Sequence, residues 1–172
     1  MTCAFVLGVF LASVAAAAAP PNDAQIAAII VTANQVDINA GKLADARATA
    51  PDVKAFGHRM IVDHGSVNKS AQALVAKLHL TPQSNPTSQS LKAGGEQNIG
   101  KLKELSGAAF DRAYVDHEVT YHQAVLDAMD STLIPSARNA ELKALLVKVR
   151  PAFVDHLQHA KDLQASLAKA GG

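Results

Sequence analysis

The stretch ELKALLVKVRPAFVDHLQHAKDLQASL, residues 141–167, decides the fold. Leu142, Leu146, Val149, Phe153, His156, Ala160, Leu163 and Leu167 follow one another in alternating steps of four and three. That is the spacing of one buried helix face. Every member of the seam is apolar except His156. A charge or an imidazole placed among apolar neighbours without a partner costs several kcal/mol. The interruption therefore calls for a partner from elsewhere in the chain.

Three more stretches carry the same spacing and the same kind of interruption. One seam reads Ile26, Ile30, Ala33, Asp37, Ala40, Ala44; a second reads Met60, His64, Val67, Ala71, Leu74, Leu78. A third reads Val115, Glu118, His122, Val125, Met129. Four seams predict an all-α domain, a four-helix bundle, with the polar members meeting inside it. The first long helix is expected over 23–48 and the second from Pro51 to about His79, with Pro51 in its first turn. The third is expected from Ser106 to about Leu133. The fourth, capped by Asn139, should run towards Ala170. Pro82, Asn85 and Pro86 mark a loop over 80–87. A shorter helix is expected over 88–105, weakened by Gly94, Gly95 and Gly100, as the crossover between the second and third long helices. Pro151 should kink the fourth.

Composition agrees with helices. Of 172 residues, 49% are hydrophobic but only 4% aromatic, and Trp is absent. Ala is abundant, which suits close helix packing. The net charge of +1 comes without a basic patch, so nucleic acid is not an expected partner. Residues Ala4 to Ala19 are apolar and end in an Ala-rich stretch before Pro20-Pro21. A membrane span needs about 20 such residues. The segment reads as a signal peptide over 1–19, cleaved near Ala17 to Ala19, although no Lys or Arg follows Met1. The mature domain is then 20–172, periplasmic, with no stable membrane insertion after cleavage. Cys3 is the only cysteine and lies in the signal. A metal site in the mature chain must therefore use His and carboxylates.

The interrupting residues are the candidate ligands. Asp37, His64, Glu118, His122 and His156 lie near the middles of their helices, where antiparallel neighbours meet at similar heights. Glu118 and His122 are four apart and share one face. Counting from the turns, His156 should come nearer the level of Glu118 than of His122. His159, three beyond His156, could be a ligand, support one, or face water. Asp63 and Asp155 point about 100° from their neighbouring histidines. Asp63 should face the bundle edge or hold a ligand histidine. His58, His79 and His117 point elsewhere and read as surface residues. Tyr114 and Tyr121 read as packing with Phe110. A purely hydrogen-bonded polar network is the alternative to a metal.

The strings ANQVDINAGKLA (33–44), VKAFGHRMIVDH (53–64), LSGAAFDRAYVDHEVTYHQAVLDA (105–128), LIPSARNAELKALL (133–146) and PAFVDHLQHAK (151–161) resemble the family called domain of unknown function 4142. The resemblance covers nearly all of the mature chain. Its members are exported bacterial proteins, often labelled as outer membrane proteins and grouped with ferritin-like bundles. The resemblance implies a ferritin-like four-helix bundle, with recurring polar positions at Asp37, Asp63 with His64, Glu118, His122, and His156 with His159. No alternating-strand pattern of a β-barrel is present, so the outer-membrane label is not expected to fit.

Di-iron carboxylate bundles use Glu-x-x-His on two helices. Here the pairs are Glu118-x-x-x-His122 and His156-x-x-His159, and carboxylates are few. The set His64, Glu118, His122, His156, His159 and Asp37 better suits a divalent ion, zinc first, with iron, copper or manganese as other choices. The expected function is periplasmic metal binding for storage or stress protection. The alternatives are a metal-dependent enzyme, for which no catalytic motif is visible, and a structural module of the envelope. A homodimer through an exposed helix face is the other partnership the sequence leaves open.

Overall fold

The computed structural model describes residues 19–170, so the expected signal segment lies, apart from Ala19, outside the described residues. The chain is all-α. Its elements are α1 (Asp23–Arg47), α2 (Pro51–Lys77), α3 (Pro86–Lys103), α4 (Gly107–Ala128), a π-helical turn (Met129–Leu133), α5 (Ile134–Ser136) and α6 (Ala140–Ala170). Among the described residues no strand occurs, and no helix is long and apolar enough to cross a membrane.

The caps are written in the sequence. Asn22 and Gln25 form a reciprocal capping box at the start of α1. Asn139 accepts the Glu141 and Leu142 amides at 2.9 and 3.1 Å to begin α6. Asp23 accepts the Arg138 and Asn139 amides at 2.8 and 3.0 Å, which fastens the α5–α6 connection to the first turn of α1. At the other end, Asp111 of α4 accepts the Thr49 and Ala50 amides at 3.0 and 2.8 Å and the Thr49 hydroxyl at 2.6 Å. That buried carboxylate fixes the tight α1–α2 turn.

α1, α2, α4 and α6 surround one core, and α3 packs on the outer side of α1. α1 and α2 cross closely at Gly41 and Gly57. A Cβ at Gly57 would stand 2.8 Å from the Ala44 Cβ and 2.9 Å from the Gly41 carbonyl oxygen. Gly95 of α3 meets Val36 in the same way, with a Cβ placed 2.7 Å from a Val36 methyl. The glycine that weakens α3 as a helix is thus what lets α3 lie on α1. Gly94 and Gly100 face open space.

One stretch differs from expectation, and another keeps its helix through a proline. The third long helix does reach Leu133, but its last turn is π-helical. Pro135 has no amide for the Ser131 carbonyl and its ring crowds that group, which favours the wider turn. α6 stays helical through Pro151, and Val147, whose carbonyl loses its bond there, is 53% exposed, so water can take its place.

The apolar core divides in two. One half contains Ile26, Ile30, Val125, Met129, Leu142, Leu146 and Phe153. The other contains Ala44, Phe56, Met60, Phe110, Tyr114, Val115 and Leu163. The polar members of the four seams form the layer between them.

Candidate metal centre

Asp37, His64, Glu118 and His156 are each 1% exposed, and His122 is 0%. All five meet in the central layer. One ligand atom from each of His64, His122 and His156 lies within 4.8 Å of the others, as does one from each of Asp37, Glu118 and His122. The ring centroids of the three histidines are 5.1 to 5.6 Å apart, and Phe153 packs against all three.

Each histidine is held by one ring nitrogen. Asn34 donates its amide to the Ile30 carbonyl at 2.9 Å, so its oxygen faces His64, whose Nδ1–H donates to it at 2.7 Å. The His122 Nδ1–H donates to the Glu118 carbonyl at 3.0 Å. The His156 Nε2–H donates to Asp63 Oδ2 at 2.8 Å. These bonds assign the tautomers. They leave His64 Nε2, His122 Nε2 and His156 Nδ1 as lone pairs, and all three are buried without a hydrogen-bond partner.

Asp37 faces two of these lone pairs, whereas Glu118 lies beside the Nδ1–H side of His122. Asp37 Oδ2 is 2.9 Å from His64 Nε2 and 3.3 Å from His122 Nε2, and Glu118 Oε2 is 3.4 Å from His122 Nδ1. Both oxygens of Asp37 and both of Glu118 also lack hydrogen-bond partners. Burial alone would raise the Asp37 carboxyl, but positive charge at the His64, His122 and His156 rings, which a proton or a metal ion supplies, outweighs it and holds it at about 2. Glu118 is pushed well above the usual carboxylate range by burial and by Asp37 beside it. Burial and Glu118 also raise the Tyr114 phenol, which stays protonated at the edge of the cluster.

Facing lone pairs repel unless a cation lies between them. One proton can reconcile one nitrogen–oxygen pair, but not three ring nitrogens and the Asp37 carboxylate together. Donors each 2.0–2.2 Å from a zinc ion lie about 3–3.5 Å apart, close to the Asp37 separations seen here. The orphaned donors thus fit a metal ion.

α4 and α6 bring two of the histidine rings together. His156 meets His122, with ring centroids 5.4 Å apart. Helical side chains lean towards their own N-terminus. In antiparallel neighbours the His122 ring leans away from the α4–α6 turn and the His156 ring leans towards it, which closes the difference in height.

His159 lies outside this cluster. Its ring packs edge-on against Phe56 at 5.0 Å, and its Nδ1 accepts from Arg59 Nη1 at 3.4 Å. Asp63 reaches the site from α2 by holding His156 of α6. His58 is exposed, 3.8 Å from Asp45, and His79 is exposed past the end of α2. His117 is half-buried and not a surface residue: it stacks on Tyr121 at 5.6 Å, and burial lowers its pKa. Tyr121 does more than pack, since its hydroxyl donates to the Ala33 carbonyl at 2.8 Å, one turn from Asp37. Asn34 is the residue the sequence reading missed. It lies three before Asp37 and four after Ile30, on the same buried stripe, and that spacing was its signal.

The family model described as Domain of unknown function (DUF4142) matches residues 10–163. No curated protein and no solved structure matches the chain.

Proposed function

The chain belongs to the DUF4142 family, and from its buried site we propose that it is an exported protein that holds one divalent metal ion in the bundle core. His64 Nε2, His122 Nε2 and His156 Nδ1 are the nitrogen ligands and Asp37 is the nearest carboxylate. Glu118 completes the set as a fifth donor or as the neighbour that neutralises the remaining charge. Zinc suits three imidazoles and a carboxylate best; iron or manganese would use the fifth donor. In plan this is a ferritin-like bundle with a mononuclear, histidine-rich centre.

The observation that carries the reading is the set of three outer hydrogen bonds. Each orients an imidazole and leaves its inner nitrogen free, the arrangement metal-ligating histidines show. A register-fixing polar network would instead pair those inner atoms with one another. The donors' burial favours retention of an ion, for sequestration or protection, over turnover of a substrate from solution. The apolar segment Ala4–Ala19 supports export to the periplasm.

The test is the double variant His64→Ala/His156→Ala beside wild type, both purified without a histidine tag. Wild type should retain metal through dialysis and lose melting temperature on chelation. The variant should retain none and ignore the chelator. Equal metal content and equal melting response in the two proteins would sink the proposal.

A further inference from the structure

The three outer hydrogen bonds differ in one respect. His64 is held by Asn34, which is 1% exposed, and His122 by a backbone carbonyl inside α4. His156 is held by Asp63, whose side chain is 36% exposed. Of the three outer partners, Asp63 alone is open to water while touching a ring of the core.

Asp63 has company at the surface. Its Oδ2, which accepts from His156, also accepts from Arg59 Nε at 3.1 Å. The same guanidinium donates through Nη1 to His159 Nδ1 at 3.4 Å. Arg59 is 38% exposed, so it can leave by side-chain rotation alone. Its departure would uncover a carboxylate and an imidazole lone pair on the seam between α2 and α6. Both are donors a divalent cation takes from water.

We infer that Asp63, with His159 on the other arm of Arg59, is where the metal ion is collected and handed to His156, and that Arg59 is the cation that holds the place between loadings. The inference rests on the proposed core site and concerns how that site exchanges its ion. Asp63 is charged and solvent-facing, so it concentrates cations; it holds the Nε2–H of His156, and a turn of that one ring would present the core ligand Nδ1 first to the Asp63 side and then to the centre. His159 then has a role although it stands apart from the central cluster.

Cobalt(II) is the probe, because its visible absorption reports ligation as it happens. Metal-free wild type, Asp63→Asn and Arg59→Gln are mixed with cobalt(II) in a stopped flow, and loaded proteins are then challenged with a chelator. Asn keeps an oxygen for the His156 Nε2–H but removes the charge. Asp63→Asn should slow association by about tenfold or more, the scale of electrostatic steering. It should slow chelator-driven release as well, so that Kd changes little. Arg59→Gln should speed both steps. A residue that only orients His156 would leave association unchanged and speed release, and that outcome would overturn the route. Wild-type rates in both variants would overturn it too. A wild type that takes up no cobalt(II) would instead overturn the core site itself, and the route with it.

Discussion

His64 Nε2 lies 2.9 Å from Asp37 Oδ2, deep in the core, and neither atom has a hydrogen-bond partner. The Nδ1–H of the same ring is committed to Asn34. In the neutral ring the nitrogen facing Asp37 is a lone pair facing a carboxylate, and a cation between them turns that repulsion into coordination.

The Asn34 bond predicts its own test. Asn34→Ala should leave the His64 Nδ1–H without an acceptor and the ring free to turn. Metal affinity should fall about 10–100-fold, the usual loss when a ligand histidine loses its outer partner. Asn34→Asp keeps the acceptor and should keep most of the affinity. Competition against a chromophoric chelator measures both.

Gly57→Ala should destabilise the chain by about 1–3 kcal/mol, because the new methyl meets the α1 backbone. At this size that is a fall of several degrees in melting temperature. The same methyl would push α1 from α2 and so part Asp37 from His64. Metal affinity should therefore drop together with stability, as titration at a temperature where the variant is folded would show.

His79 has φ 51, left-handed backbone, in the position after the α2 cap. The His79 amide reaches the Ala76 carbonyl at 3.2 Å and the Leu80 amide the Val75 carbonyl at 3.0 Å. This is the Schellman arrangement, which glycine fills with least strain. His79→Gly should stabilise the protein by about 1 kcal/mol, read from thermal melting, with metal content unchanged.

Burial lowers His156 to about 4, outweighing Asp63, from an ordinary value of 6.5. As pH falls, the unfolded chain takes up that proton first, so the metal-free protein should lose stability from about pH 6.5 towards 4. Glu118 has the opposite sign. Its raised pKa means the unfolded chain ionises first, so metal-free stability is also lost as pH rises above 4.5. Metal supplies the charge that ionised Glu118 lacks and displaces protons from the site. The gap in melting temperature between loaded and metal-free protein should therefore widen from about pH 5 to about pH 8. A constant gap would contradict the assignment of Glu118.

Much of this was legible in one dimension. Each seam was a single-helix pattern, and Asp37, His64, Glu118, His122 and His156 interrupted it at positions the folded chain brings together. Relations between helices were less legible. The meeting of His156 with His122 depends on which way side chains lean, which counting along the chain ignores. Asp63 was read beside its neighbour His64, yet it holds His156 from another helix. Asp111, which fixes the α1–α2 turn, has no periodic signature at all. The π-helical turn follows from Pro135, whose effect on the preceding turn is local and could have been anticipated.

Elemental analysis of tag-free mature protein, dialysed against metal-free buffer and paired with melting curves before and after a strong chelator, tests the central claim most directly. The account predicts close to one divalent ion per chain and a lower melting temperature once it is removed. A folded protein that carries no stoichiometric metal, takes none up when it is offered, and melts identically with and without chelator would contradict it.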